Sequence, residues 1–229
     1  MTNINVNAVF NANNAEIRKE NATMMFVNEG IELMINNYNV AKENLVIRVE
    51  NLANINPEDP HVVFAGDLAV TYRLKIDSER FVKVNKAIYD NWKVNGYDVS
   101  CLYKDAVDNS EVKEKLVIQT LPGMIGGMFG CEVEEGGNTL VVTTESMVGG
   151  AAALFYRNTP RRLAEFFGNR KLLIIPSSIH EVLVMPYGDL DVDYVNSIIR
   201  DVNEMQVAPK ERLGDHAYLF DLDILKSLV

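Results

Sequence analysis

The sequence predicts an α+β fold, mainly antiparallel sheets flanked by helices and divided into two subdomains. Three observations carry that expectation. Residues 171–187, KLLIIPSSIHEVLVMPY, set two short β-branched apolar runs on either side of a Pro-Ser-Ser corner, the pattern of a β-hairpin. Both runs are apolar at odd and even positions, which puts the hairpin at the centre of a sheet with both faces covered. From Thr139 onward the order is strand, helix, hairpin, helix, strand, segregated rather than alternating. Last, the NPEDP run at 56–60 places two prolines and two acids between periodic segments. It is read as the linker between an N-terminal subdomain, residues 1–56, and a C-terminal one, residues 61–229, built around the hairpin.

The N-terminal subdomain reads β-β-β-α-α. Residues 3–10 alternate apolar and polar positions, residues 11–14 supply Asn-rich turn chemistry, and 15–20 and 23–27 return as further strands. A helix is expected at 29–37, with Ile31, Met34 and Ile35 on one face. A second is expected at 41–54, where Leu45, Val49 and Leu52 fall four and three apart.

Beyond the linker, 68–76 and 80–84 pair around Asp77-Ser78. Helices at 86–93 and 99–107 part at Asn95-Gly96, with Trp92 and Tyr97 plugging the corner. Residues 113–120 form a strand, and 121–130, LPGMIGGMFG, a mobile loop. Residues 132–135 and 140–144 bracket Gly136-Gly137-Asn138 as a second hairpin. Residues 150–156 are helical. Thr159 caps a short helix with Pro160 at its first position, Leu163, Phe166 and Phe167 inward, and Gly168 as its stop. Residues 191–205 form the clearest helix, with Val192, Val195, Ile199 and Val202 in one stripe. An edge strand at 216–221 and a helical turn at 222–228 close the chain.

At 229 residues the chain can build one large core or two small ones. No stretch approaches the ~20 apolar residues that span a bilayer, and the N-terminus lacks the basic start and apolar core of a signal peptide. Cys101 and Cys131 show neither C-x-x-C spacing nor a disulfide framework, which suits a reducing compartment. The cytoplasm is the expected location. A formal charge of −10 favours solubility, repels nucleic acid unless basic residues are segregated, and suits a basic partner surface.

Four groups could carry chemistry. His180-Glu181 resembles half of a zincin motif, but Val184 stands where the second histidine belongs, and the context is a strand. A metal there would have to recruit His61 or His216 from distant segments, so no metal is expected. Ser177 or Ser178 with His180, beside Glu181 and oriented by an acid such as Asp215, could form a nucleophile and base; no G-x-S-x-G elbow supports it. Capping of a turn by the serines is the plainer reading. The glycines of 121–130 lack a G-K-[ST] phosphate signature, and Met124, Ile125, Met128 and Phe129 read instead as an apolar lip for a partner. Arg157, Arg161, Arg162, Arg170 and Lys171 form a basic cluster that pairing with surplus acids would explain.

The segments GAAALFY at 150–156, IIPSSIHEVLVMP at 174–186 and VNEMQVAP at 202–209 resemble one uncharacterised bacterial family of unknown function, frequent in clostridial genomes and their mobile elements. GDHAYLFD at 214–221, ATMMFVN at 22–28 and residues 92–109 agree with it, and TYRL at 71–74 with the helices after it is more distantly similar to the YtpQ-like family. The resemblance implies a cytoplasmic α+β protein with no catalytic residues to carry over. The function expected from all this is a non-enzymatic interaction or regulatory protein that binds a protein partner and uses no cofactor. A hydrolase built on Ser178, His180 and Glu181 is one alternative. An anion- or RNA-binding domain using Arg161 and Arg162 is the other.

Overall fold

A computed structural model describes residues 28–78, 80–130, 137–168, 170–188 and 190–222. The strands expected within 3–27, the strand at 132–135 and most of the turn at 222–228 lie outside the described residues. What is described is an α+β fold of two antiparallel sheets flanked by helices.

Helix α1 covers residues 28–36. It is followed by α2, Tyr38–Ala41, which Asn37 caps by accepting from Asn39 N. The chain then enters strand β1, Leu45–Asn51, where a helix was expected. The helical spacing of Leu45, Val49 and Leu52 is real but misleading. Val46 and Ile47 between them are β-branched and also buried, so the segment is covered on both faces and pairs along its whole length, Leu45 against Leu74 through Asn51 against Leu68.

β1 belongs to a sheet with β2, His61–Ala65, β3, Leu68–Lys75, and β4, Phe81–Lys83; the other three all pair with β3. The 56–60 segment therefore joins two strands of one sheet. Helices α3, Lys86–Lys93, and α4, Val99–Lys113, follow, capped by Asn85 and Asp98. Trp92 is fully buried and donates Nε1 to Met34 O at 3.2 Å, while Tyr97 stacks on Tyr38 at 4.3 Å, so both seal the corner as expected. α4 runs past 107 because its later turns are also used. Ser110 Oγ accepts from Ile47 N at 2.9 Å and donates to Ala106 O at 2.7 Å, locking α4 to the backbone of β1.

The second sheet runs β5 (Leu116–Thr120), β6 (Leu140–Thr144), β8 (Glu181–Pro186), β7 (Leu172–Ser178), β9 (Tyr218–Phe220) in spatial order. The β7–β8 hairpin sits at its centre, with a register shift between Pro176 and Ser178. Val182 and Val184 are buried on the core face. Ile175 and Leu183, on the other face, are only half covered.

The glycine-rich segment expected as a loop is helix α5, Leu121–Phe129. Thr120 accepts from Gly123 N, Pro122 opens the first turn, and Gly130 ends it at φ 63. These start and stop signals outweigh the low helix propensity of Gly126 and Gly127. A 3₁₀ helix at Gly150–Phe155 is buried throughout and enters the joint between the sheets. Close approach explains its opening glycines: a Cβ at Gly149 (φ 65) would collide with the Arg48 side chain, and one at Gly150 with Thr143 and the His180 carbonyl.

Helix α6, Thr159–Phe167, begins one residue earlier than expected, with Asn158 at the cap; Thr159 Oγ1 instead donates to Ala153 O at 2.6 Å. Leu163 and Phe167 point inward, but Phe166 is 50 % exposed. Helix α7, Val192–Gln206, is capped by Asp191.

One apolar core runs between the sheets, including Tyr72, Leu74, Trp92, Leu102, Phe155 and Val184. Phe64 of β2 packs on Phe155 at 4.4 Å and stacks on Phe220 of β9 at 4.7 Å, and Tyr218 donates its hydroxyl to Asp67 Oδ1 at 2.6 Å. On the outer face of the second sheet, α7 makes a smaller cluster of Leu173, Ile199 and Ala217 with Ile175, Met185 and Val195.

Candidate functional site

The hairpin corner brings Ser177, Ser178, His180 and Glu181 together, but not as a nucleophile and base. Both serine hydroxyls donate to Glu181 Oε1, at 2.7 and 3.1 Å, and Ser178 Oγ also accepts from His180 N at 3.0 Å. The imidazole turns away: its Nδ1 stands 2.9 Å from Met147 O and 3.2 Å from Gly149 N. Met147 holds φ 57, a left-handed conformation uncommon outside glycine, and its carbonyl sits beside the His180 ring. Asp215, the acid expected to orient the ring in that reading, accepts instead from Asn203 Nδ2 at 2.8 Å. The corner is a capped turn.

The other candidates are dispersed. His61 Nδ1 is 2.8 Å from Asp59 O, and His216 lies 3.8 Å from Asp67 and beside the Tyr218 ring, so neither joins His180. Among the described residues no group of three His, Cys, Asp or Glu side chains could hold a metal ion. Cys101 is a free, half-buried thiol, and Cys131 lies outside the described residues. In α5, Met124 is buried and Ile125 exposed; the side chains of Met128 and Phe129 lie outside what is described. Adjacent on the helix, Met124 and Ile125 point in different directions.

Three of the four arginines of the basic cluster are engaged locally. Arg157 pairs with Asp108, Arg161 with Glu165 one turn on, and Arg162 Nη1 approaches Leu116 O at 3.5 Å.

Two features were not foreseen. The first is an apolar groove of about 230 Å³ on the outer face of the second sheet, between α7 and the hairpin. Ile175, Pro176 and Leu183 form its floor, Val195, Ile198 and Val202 its helical wall, and Ser177 lines its end. Its wall continues outward as a row of exposed apolar side chains: Tyr194 (65 % exposed), Ile198, Val202 and Met205 (69 %). These fall four, four and three apart, a second stripe beside the inward Val195 and Ile199. That spacing was the available signal, and it was masked by the stronger inward stripe.

The second is a buried ionic cluster at the joint of the sheets. Arg48 Nη1 and Nη2 donate to Glu114 Oε2 and Oε1 at 2.8 and 2.9 Å, Lys75 Nζ reaches the same carboxylate at 3.2 Å, and the Phe81 ring covers the guanidinium at 4.5 Å. Burial, with the Glu114 charge next, pushes the neighbouring Tyr156 hydroxyl far above the ordinary phenol range. Two cations, Arg48 and the partly exposed Lys75, hold the one buried carboxylate, which is the geometry of a structural clamp.

Fold and site together define an α+β protein of two antiparallel sheets with a clamped joint and an apolar, helix-walled groove. The chain belongs to DUF5688, a family of unknown function, whose model matches residues 6–222. No curated protein and no solved structure matches it. No helix among the described residues is long and apolar enough to cross a membrane.

Proposed function

We propose that this chain is a non-enzymatic interaction protein of the cytoplasm that docks a protein partner on the outer face of α7. The observation that carries this reading is the continuity of the groove with the exposed row Tyr194, Ile198, Val202 and Met205. Monomeric surfaces rarely leave such a row uncovered without a use for it.

Size selects the kind of occupant. The groove, about 230 Å³, is smaller than the roughly 300–1,000 Å³ that encloses a small molecule. The row from Tyr194 to Met205 runs roughly 16 Å along the helix, the reach of a protein segment lying in a groove. The engagement of both serines by Glu181, and of Arg157 and Arg161 by acids, supports an interaction role over the hydrolase and RNA alternatives. A regulatory role for a mobile element follows only from the resemblance of the motifs, and makes a host protein the partner to seek.

The test is a photo-reactive residue placed at Met205 or Tyr194 in cells of the native host, with Val112, exposed on α4, as the control position. A discrete adduct at the α7 positions, absent at Val112 and lost when Ile198 and Val202 become lysine, is the expected result. Equal labelling at all three positions would count against a docking face on α7.

A further inference from the structure

We infer that the segment docking on α7 is a basic amphipathic one, apolar on the side that enters the groove and bearing Lys or Arg along its edge. The inference rests on α7 being the docking face, and charge is what goes beyond it. With its cap, α7 carries Asp191, Asp193, Asp201 and Glu204 against one cation, Arg200. All four acids are exposed, on a chain whose formal charge is −10. At the groove's end Ser177 donates to Glu181 Oε1 at 2.7 Å, so a carboxylate stands one hydrogen bond from the apolar lining. An apolar side chain seated over Ile175 and Leu183 would bring a neighbouring ammonium or guanidinium within reach of that carboxylate.

The same charges argue against the other occupants. A second copy would bring its own Asp193, Asp201 and Glu204 to the contact, setting acid against acid. An anionic lipid surface is repelled for the same reason. A basic amphipathic helix satisfies the apolar row and the acids together.

Three synthetic amphipathic helices with one leucine face, and with lysine, glutamine or glutamate on the other, would be titrated against the full chain by fluorescence anisotropy. The lysine peptide is expected to bind, and the glutamate peptide to bind at least tenfold more weakly. Ile198→Lys with Val202→Lys should abolish binding of the lysine peptide. Glu181→Gln should weaken it by up to about fivefold, the range of a partly screened pair, and flatten its salt dependence. If the double variant does not melt as the parent does, Tyr194→Lys with Met205→Lys, at the two most exposed positions of the row, replaces it.

Equal binding of the lysine and glutamine peptides would overturn the basic-partner inference and leave the docking face standing. Lysine-peptide binding that ignores every α7 variant would reveal diffuse attraction to an acidic protein, and overturn it too. Doubling of mass in sedimentation, lost in Ile198→Lys/Val202→Lys, would overturn it in favour of a second copy and remove the protein-partner reading with it.

Discussion

Arg48 and Glu114 form a bidentate ion pair across the joint of the two sheets, at 2.8 and 2.9 Å, with the Glu114 side chain 2 % exposed. β1 supplies the arginine, the end of α4 the carboxylate, and Lys75 of β3 a second cation. Removing Arg48 leaves the buried Glu114 carboxylate to Lys75 alone and breaks both bidentate hydrogen bonds, which costs about 3–5 kcal/mol. Arg48→Met should therefore lose most of the stability of a protein of this size. Arg48→Met with Glu114→Leu should recover much of it, since a packed apolar pair replaces two buried charges. Denaturant unfolding of the single and double variants measures both. A single variant within about 1 kcal/mol of the parent would mean that the pair is hydrated and the joint is held by its apolar contacts.

The two faces of the hairpin should respond differently. Val184 is fully buried between Leu140 and Ile174, so Val184→Asp should cost roughly 3 kcal/mol or more. Leu183, one residue away, opens onto the groove under α7. Leu183→Asp should cost under about 2 kcal/mol and leave the main core in place. Thermal unfolding of both variants checks this; equal losses would show that α7 seals its face as tightly as the core.

Asp59 gives the stability a defined acid dependence. Its burial pushes the carboxyl up, but the Lys83 ammonium at 2.9 Å and the Lys86 N–H at 2.9 Å outweigh that and hold it below the usual carboxylate range. A native value below the unfolded one means the stabilisation is complete above the unfolded value of about 3.9 and is lost as pH falls through the native value. Asp59→Asn should thus be less stable than the parent at neutral pH, and the two stabilities should converge as the pH falls below the unfolded value of about 3.9. Parallel curves would place the acid sensitivity in other carboxylates.

The serine corner should be chemically silent. With both hydroxyls bonded to Glu181 and the His180 ring held at Met147, a fluorophosphonate probe should not label Ser177 or Ser178. Labelling at either residue that disappears in His180→Ala would restore the hydrolase alternative.

Legibility in the sequence followed the range of the interactions. The hairpin, α3, α4 and α7 were readable because each is written in nearest-neighbour terms: β-branched runs around a Pro-Ser-Ser turn, the Asn95-Gly96 break between two helices, an apolar stripe after Asp191. α5 was missed because its glycines argued for a loop, while Thr120, Pro122 and Gly130 said where a helix starts and stops. β1 was missed because its apolar residues satisfy a helical and a fully buried strand pattern alike, and periodicity cannot separate the two.

The sequence by itself determined the α+β class, the central hairpin, the acidity of the chain and the turn chemistry of Ser177 and Ser178, since local propensity and patterning are sufficient for these. Only the tertiary structure decided that β1 joins β2 and β3 in one sheet, that Arg48 meets Glu114 sixty-six residues away, and that α7 leaves Tyr194, Ile198, Val202 and Met205 exposed. Those outcomes depend on which distant segment fills the space beside each side chain. Pairing across such a separation is settled by packing and desolvation in the assembled core, and neither is a property of the residues on either side.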